Sequence, residues 1–265
     1  MKKFLLIGIL LAAFCAAGLT IYAAMNGDRF RPSDTTATRN LNLGDFHEID
    51  ASVASVEYTP GAEGLAVVEA PDNVINDVKV SVRDGKLTVS LADNFRRNVR
   101  STESLRIKVK VASKAIDEIS LSTGAKLTVN GDLSIAGDFE LECSTGAVAV
   151  LKKVECSDAD IKAETGSSME IKELTANKAD VEAQTGSNIK VGELLANVVD
   201  CEASTGAVVT VEKATSPYAE LEAATAGVVT VGGDIVDGKA TASTAGTIKC
   251  PSNLRRTAST GGTIN

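Results

Sequence analysis

Three consecutive stretches decide the fold: Asp158–Asn177 (DADIKAETGSSMEIKELTAN), Lys178–Asn197 (KADVEAQTGSNIKVGELLAN) and Val198–Pro217 (VVDCEASTGAVVTVEKATSP). Set one beneath another, they carry a carboxylate, an apolar residue and a Thr-Gly pair at matching offsets. The pair continues in both directions. A Thr followed by Gly or Ala-Gly stands at Thr123, Thr145, Thr165, Thr185, Thr205, Thr225, Thr244 and Thr260, at intervals of 22, 20, 20, 20, 20, 19 and 16 residues. A period this regular is the signature of a repeat architecture.

The register inside each repeat identifies the element. Four residues before the Thr come Ile119, Leu141, Ile161, Val181, Cys201 and Leu221. Two before it come Leu121, Cys143, Ala163, Ala183, Ala203 and Ala223. Between them lie Glu140, Asp160, Asp180, Asp200 and Glu220, then Glu142, Lys162, Glu182, Glu202 and Glu222. Apolar and polar residues alternating with period two make a half-buried strand. The Thr is expected to complete the inward set, with Gly and a small residue turning the corner. A second strand follows, with Met169 and Ile171, Ile189 and Val191, Val209 and Val211, and Val229 and Val231 inward. A third inward site holds Val154, Leu174 and Leu194.

Three short strands in about 20 residues make one coil, and a coil alone cannot bury its apolar edge. Stacking the coils about 4.8 Å apart gives a continuous core. The expected fold is therefore all-β, a single-stranded parallel β-helix of about 20 residues per coil. Composition agrees. Hydrophobic residues make up 44% of the chain but aromatics only 3%, with no Trp. A lumen lined by Ala and β-branched residues is too narrow for rings.

Outside the regular coils, residues 41–111 alternate without the Thr-Gly tag and read as irregular opening coils, with Asp84-Gly85 a turn. Regular coils cover 112–265, and residues 92–102 read as a protruding loop. Residues 1–25 read as an export signal or an N-terminal anchor. Lys2 and Lys3 precede an apolar run from Phe4 to Phe14, and small residues follow at Cys15-Ala16-Ala17-Gly18. Cleavage, retention as an anchor and lipidation at Cys15 all stay open. Either way the protein is expected in the periplasm or at the cell surface, touching a membrane only through this segment. Residues 26–40 are polar and read as a flexible linker.

The formal net charge is −8, and losing Lys2 and Lys3 takes it to −10. That excludes a nucleic-acid partner, which needs a positive surface. The motifs Phe46-His47-Glu48-Ile49, Val56-Glu57-Tyr58-Thr59-Pro60-Gly61, Val82-Arg83-Asp84-Gly85-Lys86-Leu87, Ile116-Asp117-Glu118-Ile119 and Ser259-Thr260-Gly261-Gly262, in this order, resemble the autotransporter-adhesin head GIN domain family of bacterial envelope proteins. The resemblance covers about residues 41–265. It implies a parallel β-helix of right-handed coil on an exported protein, and no established activity.

His47 is the only histidine. One histidine cannot build a multi-His zinc site, so a solvent-facing structural role is expected. Cys143 and Cys201 replace inward residues about three coils apart, roughly 14 Å, too far for a disulfide. Cys143 with Cys156 stays open, and free thiols are the expectation. Arg96, Arg97, Arg100, Arg106, Lys108 and Lys110 form a basic cluster that could dock an anionic glycan or lipid, or simply be a solvated strand face. The carboxylates Glu140, Asp160, Asp180, Asp200, Glu220, Glu142, Glu182, Glu202 and Glu222 should stack into an acidic ladder. It reads either as a solubilising face or as a binding face for calcium or another cationic partner. No cofactor is expected. The last coil, with its edge unpaired, invites either end-to-end pairing of two copies or a cap folded back from the N-terminal region. The function this supports is a non-enzymatic exported solenoid, adhesin-like in binding a surface ligand such as a glycan or a cation, or structural in the envelope. A carbohydrate-active β-helix enzyme, a polysaccharide lyase or hydrolase, is the alternative.

Overall fold

In the computed structural model, which describes residues 30–61, 64–96 and 105–265, the repeats stack as parallel coils in register. Ser168–Ala183, Asn188–Ala203, Val208–Ala223 and Val228–Ala242 each run as one long bent strand across two faces and into the next coil. Every pairing from Glu118–Ser122 onward is parallel. The predicted inward columns hold. Ile119, Leu141, Ile161, Val181, Cys201 and Leu221 are all 0% exposed, as are Cys143, Ala163, Ala183, Ala203 and Ala223. The small second column keeps the lumen narrow, and the buried rings cluster toward the first coils at Phe46, Tyr58 and Phe139.

The Thr of each repeat faces the other way from expectation. Thr145, Thr165, Thr185, Thr205, Thr225, Thr244 and Thr260 are exposed. The backbone explains it. All eight threonines of the column have φ between 46° and 53°, the left-handed region, where the strand's alternation of faces is broken. Gly186 follows Thr185 with φ 70°, and the Ser187 amide donates to the Gln184 carbonyl at 3.2 Å. Two consecutive positive φ values closed by an i to i+3 hydrogen bond make a type I′ turn. The Gly amide then donates to the Thr carbonyl of the next coil: Gly146 to Thr165 at 3.0 Å, Gly166 to Thr185 at 3.1 Å, Gly186 to Thr205 at 3.1 Å. The corner is thus a backbone ladder, and the Thr-Gly tag repeats because that ladder must stay in step. Val53 (φ 59°) and Arg106 (φ 48°) fall in the same column of the opening coils.

The residue after the Gly is small because the chain doubles back on itself. Ser167 and Ser187 are buried there, each donating its hydroxyl at 2.8 Å to a carbonyl, Cys143 and Ala163. At the equivalent Gly227, a Cβ would lie 2.0 Å from the Ala203 carbonyl oxygen.

The opening segment joins the stack and also closes it. Glu48–Ser52 pairs in parallel with both Lys86–Leu91 and Glu118–Ser122, and Ser55–Pro60 with Lys108–Ser113 and Lys126–Val129. Over that end, Leu65–Pro71 runs antiparallel to Lys108–Ser113, and Val78–Arg83 forms a hairpin with Lys86–Leu91 around Asp84-Gly85. The segment read as linker ends earlier than expected. Thr36–Asn42 is a strand paired antiparallel with Leu65–Pro71, and only its edge position lets it stay polar. Asp93–Arg96 is a short helix. The rest of the expected loop, the export signal or anchor, and the side chains of Arg96, Arg97 and Arg100 lie outside the described residues.

Candidate functional site

Parallel pairing in register turns one polar position per coil into a line along the molecule. Reading partners across the sheet gives Lys86, Glu48, Glu118, Glu140, Asp160, Asp180, Asp200, Glu220 and Lys239, each beside the next. Seven carboxylates therefore stand in one row with a lysine at either end. A second row two residues along contains Glu142, Lys162, Glu182, Glu202 and Glu222. The structure brings together all nine predicted site residues. It adds Glu118, which stands at the same offset from Thr123 as Glu140 does from Thr145, and Glu48, which sequence spacing misses because it belongs to a coil without the Thr-Gly tag.

Among the described residues, lysines pair with the two ends of the row and, in its middle, only with Asp180. Lys86 Nζ lies 2.9 Å from Glu48 and 3.5 Å from Glu118, and Lys239 pairs with Glu220. Lys178 reaches Asp180 at 3.1 Å, and in the second row Lys162 sits 3.7 Å from Glu182. Among the described residues Glu140, Asp160 and Asp200 make no ion pair; each stands between carboxylates, with lysines (Lys86 for Glu140, Lys162 and Lys178 for Asp160, Lys178 and Lys239 for Asp200) acting only at longer range. Like charges about 5 Å apart repel by about 1 kcal/mol even at the dielectric of water. Partial burial, reinforced by Glu118 and Asp160, raises the Glu140 pKa above the usual carboxylate range. Burial and then Asp180 do the same for Asp160, burial with Asp180 and Glu220 for Asp200, and burial with Glu182 and Glu222 for Glu202. Burial first, and the neighbouring carboxylates second, make Glu140, Asp160, Asp200 and Glu202 hold a proton more tightly than free carboxylates do; of the two causes, only the like charge would also draw in another cation.

At the end nearest the closing hairpin, the row borders a cleft of about 460 Å³. Asp117, Glu118, Asp138, Glu140, Asp158 and Asp160 line it, with Lys178 the one cation among its lining residues. His47 stands just outside, its Nδ1 3.1 Å from Asp117 Oδ1, both side chains about half exposed at 52% and 49%. The imidazole packs on the hairpin turn, where a Cβ on Gly85 would lie 2.5 Å from its Nε2. It braces the closing hairpin against the first coils. Among the described residues, no group of three or more His, Cys, Asp or Glu converges as ligands to a metal ion. The carboxylates line up rather than encircle.

The described members of the basic cluster are engaged by neighbours. Lys108 lies 2.6 Å from Glu57, Lys110 2.7 Å from Glu69, and Arg106 donates to the Ser33 carbonyl at 2.7 Å. Cys143, Cys156, Cys201 and Cys250 are free thiols, and burial pushes the Cys143 pKa up to about 12.

A narrow parallel β-solenoid of about 20 residues per coil defines the class. The chain belongs to the family described as "putative auto-transporter adhesin, head GIN domain", whose match covers residues 45–234. Solved structures share the fold. A "putative lipid binding protein" from Parabacteroides distasonis superposes with a TM-score of 0.72 at 16% identity, over 90% of this chain and 99% of that one. A "putative adhesin" from Parabacteroides merdae gives 0.68 at 16% identity, over 89% and 97%. One from Bacteroides fragilis gives 0.67 at 20% identity, over 89% and 98%. No curated protein matches the chain.

Proposed function

We propose that this chain is a non-enzymatic solenoid working outside the cytoplasm, at the surface or in the periplasm, in adhesin-like binding, and that its acidic sheet engages a cationic partner. One observation carries this: the row of seven carboxylates whose inner members Glu140, Asp160 and Asp200 face like charge. Repulsion of that kind is a cost to folding that a multiply charged partner would relieve. Family membership and the adhesin descriptions of its fold neighbours support the setting. The alternative, a glycoside-cleaving enzyme, calls for two carboxyls opposed across a bond. These carboxylates stand side by side on one sheet. A lipid tail would require an apolar cavity, and the inward columns fill the lumen with side chains at 0–2% exposure.

The test is titration of the protein with a fluorescent oligolysine, followed by anisotropy at low and physiological salt. Wild type should bind with an affinity that falls as salt rises. The Asp160→Asn, Asp180→Asn, Asp200→Asn triple variant should lose most of it. Equal binding by both proteins refutes the reading.

A further inference from the structure

Beside the acidic row lies a surface of opposite character. Large apolar side chains stand in the open at Leu195 (53% exposed), Val198 (36%) and Val236 (77%). Register puts these three together. Leu195 and Val198 flank the corner at Asn197; one coil on, that corner is Pro217, between Thr215 and Tyr218; on the next coil it is Val236, beside Asp237, the partner of Tyr218. The ridge spans two coil spacings, about 10 Å.

Val198 and Tyr218 also belong to the acidic sheet. Their column runs Asp158, Lys178, Val198, Tyr218, Asp237, immediately beside the column Asp160, Asp180, Asp200, Glu220, Lys239. Two residues along a strand put the columns about 7 Å apart. One face therefore offers a line of carboxylates with Val198 and the half-buried Tyr218 on its margin, and the corner beyond that margin carries Leu195 and Val236.

Charge decides what covers that margin. A second copy of this chain carries the same net charge of −8 and would set acid against acid. An anionic membrane is repelled in the same way. A bare metal ion gains nothing from Leu195 or Val236. We propose that the occupant is a basic amphipathic helix lying along the solenoid axis, its Lys or Arg residues on the carboxylate row and its apolar side on the Leu195–Val198–Val236 ridge. The inference rests on the acidic sheet being a cation-binding face, and adds the partner's class. Dimensions agree. A helix presents one side-chain position per 5.4 Å turn against coils about 4.8 Å apart. Over the three intervals from Asp160 to Glu220 the mismatch reaches about 2 Å, within the reach of flexible Lys and Arg stems.

The experiment uses two peptides of identical Leu/Lys composition, one patterned as an amphipathic helix and one scrambled so that no face is apolar. Binding to the purified protein is followed by anisotropy. The Leu195→Ser, Val236→Ser variant changes only side chains that are more than half exposed, and its melting curve should match wild type. Wild type should prefer the amphipathic peptide, and the double variant should bind it about tenfold more weakly through lost apolar contact. Affinity for the scrambled peptide should stay the same. If the double variant binds the amphipathic peptide as tightly as wild type, or wild type has no preference between the peptides, the helical partner is refuted while the acidic binding face stands. If neither peptide binds wild type, the cationic-partner reading falls and takes this inference with it.

Discussion

Replacing Thr185 by Asn should make the protein more stable. Thr185 has φ 51°, and a left-handed conformation costs an L-residue with a Cβ about 1–2 kcal/mol. Asn tolerates that region far better than a β-branched residue does. Little is lost in exchange. Thr185 is exposed, its hydroxyl makes no hydrogen bond among the described residues, and the corner is held by backbone bonds from Ser187 to Gln184 and from Gly186 to Thr205. The expected gain is about 1 kcal/mol, read as an upward shift of the urea midpoint at constant slope. Thr185→Gly should gain less, because about 0.5–1 kcal/mol returns as backbone entropy lost on folding. Thr145, Thr185 and Thr225 lie on alternate coils about 10 Å apart, so the triple Asn variant should add up to about 3 kcal/mol. If Thr185→Asn destabilises by more than about 0.5 kcal/mol, the threonines hold the stack together through side-chain contacts and the strain argument is wrong.

Three further expectations concern the core, the corner and the acidic row. Ala183→Leu should cost about 1–3 kcal/mol in urea unfolding by overpacking the lumen, whereas Glu182→Leu on the outer face should change little; equal tolerance would overturn the register. Gly227→Val should cost more than about 3 kcal/mol, since its Cβ would sit 2.0 Å from the Ala203 carbonyl oxygen, and normal folding of that variant in a thermal melt would contradict the corner geometry. The pH dependence follows from Glu140, Asp160, Asp200 and Glu202, whose folded-state pKa values lie above those of free carboxylates. A raised carboxylate pKa means the folded state holds its proton more tightly, so these groups destabilise at neutral pH and that penalty fades as pH falls through their folded-state values. At low salt, Asp160→Asn, Asp200→Asn should melt above wild type at pH 7, and the gap should close by about pH 4, the ordinary carboxylate value. A gap independent of pH would place the effect elsewhere.

How far the sequence can be read depends on whether chain order and stacking order agree. From Glu118 onward each coil pairs with the next, so an offset that stays between 16 and 22 residues, and is 20 through the middle coils, finds every neighbour, and the inward columns and the acidic row from Glu118 to Glu220 follow from it. In the opening segment Glu48 pairs with Lys86 on one side and Glu118 on the other, far from either in sequence. No local periodicity reveals such a partner, so the first carboxylate of the row, Glu48, is not legible in the sequence. Alternation points the threonines inward because it assumes extended backbone throughout, and a left-handed residue breaks that assumption. The part of the strand Thr36–Asn42 before residue 41 reads as linker because an edge strand in contact with solvent can be as polar as a loop.

The register of the long strands makes the molecule a ruler with interchangeable divisions. Duplicating Lys178–Asn197 would add one more coil that presents Asp180 and Glu182 in line with their neighbours, lengthening the charged edge by about 4.8 Å without redesigning any contact. Valency toward a partner that bears evenly spaced charges thus becomes a matter of repeat number. Because linked contacts reinforce one another steeply, affinity could be set over a wide range by gaining or losing whole repeats.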